Sequence, residues 1–283
     1  ALESISRFAV DPHWLIYLPP TMSPCETSDY EDFLERPEEA LSFYSSRGIN
    51  HVICQEKHMG SRAVAIVCRD LETARQRFGS VDDTEGVCYT RTGRRFFADA
   101  QIEKQFLQSL KNSLEASDFF SRFETDWVAL DCELLPWSQK AQELLKDQYA
   151  KTGAAAIESL SKALKTLKEA SARGLKVDAL VDKLTRRSEL AELYVNAYRQ
   201  YCWKVDSLED LKLAPFHILA TEGSCHFDKD HGWHMSEIKR ICDHSDSLMI
   251  TTRFIELDLS NPDHIVKAVE WWEALTEIGG EGM

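Results

Sequence analysis

The sequence predicts an α+β fold, a domain built on antiparallel sheet and interrupted by an inserted α-helical module. Three features predict it. Residues 49–97 (INHVICQEK, GSRAVAIVCRD, EGVCYTRTGRRFF) are β-branched and aromatic, with turn residues between, the texture of antiparallel strands. Residues 139–205 are rich in Ala, Leu, Lys and Glu, with apolar positions three to four apart, the period of helices. Strand texture returns in APFHILATEGSCHF and SLMITTRFIELDL. Because strands flank it, the helical block reads as an insertion rather than a tandem domain. The expected division is a core, first part, over 1–138, a helical insert over 139–205, and a core, second part, over 206–283.

Taken in order, WLIYLPPTMSP holds a short strand stopped by prolines. DYEDFLERPEEALSFYSSR (29–47) reads as a helix with acidic first turns that is interrupted or restarted at Pro37. The strands of 49–97 follow, with Lys57 expected in the turn of a β-hairpin. A helix over about 99–116 presents Ile102, Phe106, Leu107, Leu110 and Leu114 on one face, and DWVALDCELLPW is a further strand. The insert accommodates three or four helices, with breaks at Gly153 and Gly174. PDHIVKAVEWWEALTEIGG is a helix opened by Pro262 and closed by a glycine pair.

Composition narrows the function. The chain has 283 residues and 43% hydrophobic content, enough for a substantial core. Its longest apolar runs, WLIYL and VAIVC, are too short to span a bilayer, so no membrane association is expected. The N-terminus does not read as a secretory signal or as a natural start. Eight cysteines are scattered without a CxxC pair, which suits reduced thiols and a cytoplasmic location. The net charge of −14 lacks the basic footprint of a protein that grips nucleic acid through phosphates, so any such grip is local or supplied by other parts.

The chemistry-bearing stretch is Glu56-Lys57-His58-Met59-Gly60-Ser61-Arg62. An amine held where a strand ends in a Gly-containing turn has few rotamers and is partly out of water. Burial and Arg62 would lower its pKa, and a neutral amine is a nucleophile. By itself, Lys-x-x-Gly also describes a solvated lysine on a surface turn.

Together with four further elements, this stretch resembles the covalent nucleotidyltransferases, the superfamily of ATP-dependent DNA and RNA ligases and capping enzymes. Lys57, Gly60 and Arg62 match its motif I, Lys-x-x-Gly-x-Arg. Thr90-Arg91-Thr92-Gly93 is similar to motif Ia and Leu130-Asp131-Cys132-Glu133-Leu134 to motif III. Pro215-Phe216-His217-Ile218-Leu219 is similar to motif IIIa and Gly280-Glu281-Gly282-Met283 to the opening of motif IV. Cys132 stands where many ligases carry glycine. The phrases KHMGSRA, WLIYLPPTMSP, DCELLPW and WWEALTEIGGEGM resemble, over essentially the whole chain, the ligase domain of the bacterial RNA-repair polynucleotide kinase–phosphatase–ligase.

That resemblance implies an antiparallel-sheet nucleotidyltransferase core, ATP-grasp-like in architecture, and an ATP-dependent RNA ligase. Lys57 would form a lysyl-AMP and pass AMP to an RNA 5′-phosphate, which a 3′-hydroxyl then attacks. Lys57, Arg62, Glu133 and Glu281 would be catalytic. Gln55, Glu56, Lys57, Arg62, Arg91, Glu133 and Phe216 would bind ATP, with Phe216 stacked on adenine. Glu133 and Glu281 would serve Mg2+ or Mn2+. The implied partners are RNA with 5′-phosphate and 3′-hydroxyl ends, kinase and phosphatase domains in the same full-length protein, and an RNA 2′-O-methyltransferase. The resemblance also implies a motif V beyond Met283, without which the isolated chain is expected to be inert.

Some alternatives stay open. Arg91 with Arg94 and Arg95 also fits a solvated turn, Phe216 fits plain core, and Glu133 fits a water-facing strand position. A ligase-like scaffold docking the methyltransferase, or a capping-type guanylyltransferase, would carry the same motifs. Cys225, His226, His231, His234, Cys242 and His244 offer zinc donors, but their spacing matches no usual paired-ligand pattern. A polar loop beside the site is the expectation there.

Overall fold

The computed structural model describes residues 9–20, 26–30, 33–81, 83–137, 145–200, 202–203 and 205–283. The chain forms two compact units, one of residues 1–135 and 206–283 and one of residues 136–205. Within the first unit the strands are β1 (His51–Gln55), β2 (Ser61–Cys68), β3 (Gly86–Thr90), β4 (Trp127–Leu135), β5 (Lys212–Thr221), β6 (Ser224–Cys225) and β7 (Phe254–Asp258). A five-stranded sheet runs in the order β3-β2-β4-β5-β6, and β1 and β7 form a separate pair. Every named strand pairing is antiparallel.

Sequence alternation explains why the central strands are buried on both faces. Val64, Ile66 and Cys68 of β2 join Tyr89, Ala129 and Leu219 in one cluster, which is covered by Val10, Trp14, Ala74 and Phe78. Ala63, Ala65 and Val67 point the other way and are also buried. Helix α3 (Ala100–Ala116) packs on β2 and β3, and α6 (His231–Cys242) packs on β5. The expected apolar face of α3 buries Phe106, Leu107, Leu110 and Leu114, each worth about 1.5–3 kcal/mol of transfer free energy. Its start is set by Asp99, which accepts the backbone N–H of Gln101 at 2.7 Å.

Several local expectations are corrected. Residues 51–55 and 61–68 do not form a hairpin, because β1 pairs with β7, His51 opposite Asp258, while β2 lies between β3 and β4. Lys57 therefore sits in a connection between two sheets. Where turn residues are expected between the strands of 49–97 lies a helix, α2 (Leu71–Phe78), capped by Asp70 and closed by Gly79 at φ +60°. Helix α1 begins at Pro37 and ends at Ser46, so 33–36 are not helical, and 31–32 lie outside the described residues. The WLIYL stretch joins no sheet. Pro12–Trp14 form a 3-10 turn, and Ile16 and Leu18 pack on the core cluster as side chains only.

The second unit is a pair of long helices, α4 (Lys151–Ala172) and α5 (Asp178–Gln200), preceded by a π-helical segment at Leu145–Ala150. Gly174 turns the chain at φ +83°, as expected of a break. Gly153 does not break the helix. It lies within α4, where a Cβ would stand 2.7 Å from Val195 Cγ2, so its smallness lets the two helices approach. Residues 138–144, where the insert was expected to begin, lie outside the described residues. Helix α7 (Pro262–Glu277) closes the chain under an Asn261 cap. Among the described residues no helix is long and apolar enough to cross a membrane.

Candidate active site

Lys57 occupies the short link from β1 to β2, and the backbone of that link is tied down on both sides. Glu56 donates its N–H to the carbonyl of Arg253 at 2.9 Å, and Lys57 donates to the carbonyl of Gly282 at 2.9 Å. The Glu56 carboxylate also accepts from Arg253 Nε at 2.8 Å. These anchors bring the last residues of the chain against the lysine, whose ammonium pairs with the Glu281 carboxylate. The Lys57 side chain is 56% exposed. The Lys57 amine is thus half-exposed and faces a carboxylate.

Arg62 and Glu133 are direct partners across β2 and β4. In antiparallel pairing this places both side chains on one face, and Asp131, two residues before Glu133, shares it. Asp131 is fully buried and grips Arg62 with both oxygens. Nε donates to Oδ1 at 2.8 Å, and Nη2 donates to Oδ2. A further Arg62 N–H reaches the Pro19 carbonyl at 3.5 Å. The guanidinium lies 6.0 Å from the centre of the Phe216 ring. Asp131 lies in the same sequence motif as Glu133 and orients the arginine. Alternation two residues before a candidate carboxylate was the available signal.

Burial pushes the Glu133 carboxyl up to about 7, against the pull of the Gly60 backbone N–H and of Lys57 and Arg62. The motif glycine has a steric reason here. A Cβ on Gly60 would stand 2.6 Å from the Leu134 carbonyl oxygen and 2.9 Å from Glu133 Cγ. Only glycine lets the link run this close to β4, which puts its N–H on the Glu133 carboxylate.

The remaining predicted site residues are placed differently. Gln55 ends β1, and its side chain turns to α6, where His231 Nε2 lies 2.7 Å from Gln55 Oε1. Arg91 is exposed in the turn after β3, one residue beyond the Ala63–Thr90 pair. The β4–β5 register shifts between Asp131 and Cys132, so His217 lies opposite Asp131 and Pro215 opposite Cys132. Phe216 falls in that irregularity and is only partly buried. The structure thus gathers Lys57 with Glu281 and Glu133 with Arg62. It directs Gln55 and Glu56 to other partners and leaves Arg91 in solvent.

The expected polar loop over 225–244 is mostly helix α6, capped by Asp230, which accepts from Trp233 N–H at 2.8 Å. Its histidines serve packing. His234 Nδ1 accepts the Ile218 N–H at 3.2 Å, and burial lowers His234 to about 4, so it is neutral. Among the described residues no group of three or more His, Cys, Asp or Glu is arranged to hold a metal. Glu281 pairs with Lys57 and Glu133 feels its charge, and both are hard oxygen donors. Two carboxylates suit a cation that takes its other ligands from phosphates and water, as Mg2+ and Mn2+ do.

Antiparallel sheets joined by a lysine-bearing link, with an arginine and two glutamates around it, define a nucleotidyltransferase of the polynucleotide ligase class. More specifically, residues 1–283 match the family model of the PNKP adenylyltransferase domain, ligase domain, and the chain belongs to that family. Membership in an adenylyltransferase family does not favour a non-catalytic scaffold. Two solved structures share the fold, both 18% identical in sequence. A chain of the Pnkp1/Rnl/Hen1 complex aligns with TM-score 0.60 over 93% of this chain and 69% of its own length. A chain of the Pnkp1/Rnl/Hen1 RNA repair complex aligns with TM-score 0.54 over 93% and 68%. No curated protein matches the chain.

Proposed function

We propose that Lys57 is the residue adenylylated by ATP and that the protein seals RNA in the cytoplasm by transferring AMP to a 5′-phosphate. The observation that carries this is the Lys57–Glu281 ion pair, formed beside the Arg62–Asp131–Glu133 group. The amine must first lose a proton, and Glu281 is the carboxylate in contact with it. The nitrogen lone pair then forms a bond to the α-phosphorus while the bond to the bridging oxygen breaks, releasing pyrophosphate. Attack by the RNA 5′-phosphate returns the lysine, and displacement by a 3′-hydroxyl releases AMP.

Arg62 is the planar donor suited to bidentate contact with phosphate or ribose oxygens. Asp131 holds it in orientation, so little ordering is left for the moment of binding. Glu133 accepts from a ribose hydroxyl or from a water on the cation. Phe216 offers a partly buried ring to the adenine, Gln55 and Glu56 frame the lysine, and Arg91 supplies charge from the neighbouring turn. A bound Mg2+ or Mn2+ would neutralise phosphate charge between Glu133 and Glu281.

The two structural neighbours come from assemblies of Pnkp1, Rnl and Hen1. They support a reading in which kinase and phosphatase modules, and an RNA 2′-O-methyltransferase, work with this domain. Among the described residues, seven cysteines form no disulfide, in keeping with a reducing compartment. The test is incubation of the full-length protein with α-labelled ATP or GTP and Mg2+ or Mn2+. Label from ATP should appear on the protein and vanish in Lys57→Ala. Label from GTP would assign a capping chemistry, and absence of any label would remove the proposal.

A further inference from the structure

We propose that the outward face of α5, centred on Lys183, Arg186 and Arg187, binds the phosphate backbone of the RNA substrate, an inference that rests on the RNA-ligase reading above. It starts from a segregation of charge. Residues 136–205 carry 13 Lys and Arg against 8 Asp and Glu, a net of +5, whereas the rest of the chain carries 20 against 39, a net of −19. A polyanion is repelled by the catalytic unit as a whole. An enzyme that must hold RNA therefore draws on the cations of its less acidic segment.

Helix geometry shows where they are. At about 100° per residue, positions 183, 186 and 187 fall within an arc of about 100° on α5. All three side chains are exposed. The opposite side carries Val195, which packs on Gly153 of α4, and Ser188 and Glu192, which line the groove between the helices. On α4, Lys162 is engaged by Glu158, and the preceding turn ties Lys151 to Asp147. Among the described residues, Lys183, Arg186 and Arg187 have no such acidic partner, so their charge is available to phosphates through counterion release. Exposed Leu190 and Leu193 continue the same face and would suit a protein partner. Asp182 and Glu189 border this arc beside Arg186, but no carboxylate lies within the arc that the three cations span, which favours RNA.

The test uses the full-length protein carrying Lys183→Gln, Arg186→Gln and Arg187→Gln together. Anisotropy of a labelled, 5′-phosphorylated single-stranded RNA is titrated over a range of KCl concentrations. Binding should weaken, and the slope of log affinity on log salt should become shallower by about 2, because each phosphate neutralised on a single strand contributes about 0.7. Lys239→Gln with Lys267→Gln, on the acidic unit, should leave that slope unchanged. Lysyl-AMP formation, which needs no RNA, should match wild type in both variants and reports folding. An unchanged affinity and slope in the triple variant would overturn the proposal and leave the face to a protein partner. Loss of lysyl-AMP formation in the wild-type protein would strike the ligase reading instead, since the RNA titration is read without ATP.

Discussion

Asp131 holds Arg62 by two parallel hydrogen bonds across β2 and β4, with a carboxylate that is wholly out of solvent and a guanidinium whose side chain is 16% exposed. The geometry freezes a flexible cation in one orientation at the end of the sheet face that also carries Glu133. Removing one member of such a pair strands the other. Asp131→Ala is expected to cost about 3 kcal/mol, within the range for breaking a buried pair, read as a shift in the urea midpoint. Asp131→Asn keeps the shape and should raise KM for ATP more than it lowers stability. A variant with wild-type lysyl-AMP formation would show that Arg62 needs no such support.

Gly60→Ala should be disproportionately harmful for one methyl group. The added carbon would meet the Leu134 carbonyl oxygen at 2.6 Å, and a backbone atom cannot step aside as a side chain can. A destabilisation of about 1–3 kcal/mol is expected from overpacking. Lysyl-AMP formation should fall as the Gly60 N–H moves off Glu133. Thermal melts and α-labelled ATP incorporation measure the two effects separately.

Glu133 gives the protein a pH dependence whose sign follows from burial. Its carboxyl is raised from 4.5 to about 7, so between those values the folded state binds a proton that the unfolded state has released. Stability is therefore greatest below the lower value and declines as pH rises through the higher one. In Glu133→Gln that decline should be missing, which urea titrations from about pH 5 to about pH 8 would reveal. Wild-type lysyl-AMP formation should rise across about pH 7, as the ionised acceptor becomes populated. A profile that keeps its inflection in Glu133→Gln would assign the inflection to another group.

Glu281→Gln separates chemistry from stability. The Lys57–Glu281 pair is half-exposed on the lysine side, so its loss should change unfolding free energy by less than about 1 kcal/mol. The rate of lysyl-AMP formation should nevertheless fall at least about tenfold, the scale of losing a positioned proton acceptor. Single-turnover incorporation of labelled AMP is the measurement, and an unaltered rate would leave Glu281 as a surface partner only.

Much of the fold was legible because it is written at short range. The apolar spacing of Phe106, Leu107, Leu110 and Leu114 announces α3, and the β-branched run at 63–67 announces β2. The change of texture near residue 139 announces a helical unit. Other parts were not legible. α2 falls where turn residues are expected between strands, because LETARQRF is only about two helical turns, and its one start signal is the Asp70 cap. Adjacency in sequence predicts a hairpin at Lys57, but adjacency does not determine pairing when β1 finds its partner in β7. The role of Asp131 is not legible either, since a carboxylate in a strand reads as exposed until its arginine partner is placed.

The sequence by itself determined the kinds of element and the residue types able to do chemistry, because periodicity of 2.0 or 3.6 and the reactivity of Lys, Arg and Glu are local properties. Only the tertiary structure decided which of those residues meet. Glu281 stands 224 positions from Lys57 and reaches it through the β1–β7 pair and the Lys57–Gly282 hydrogen bond. Closing so long a loop depends on the sum of burial over the whole unit, which no stretch of sequence carries alone.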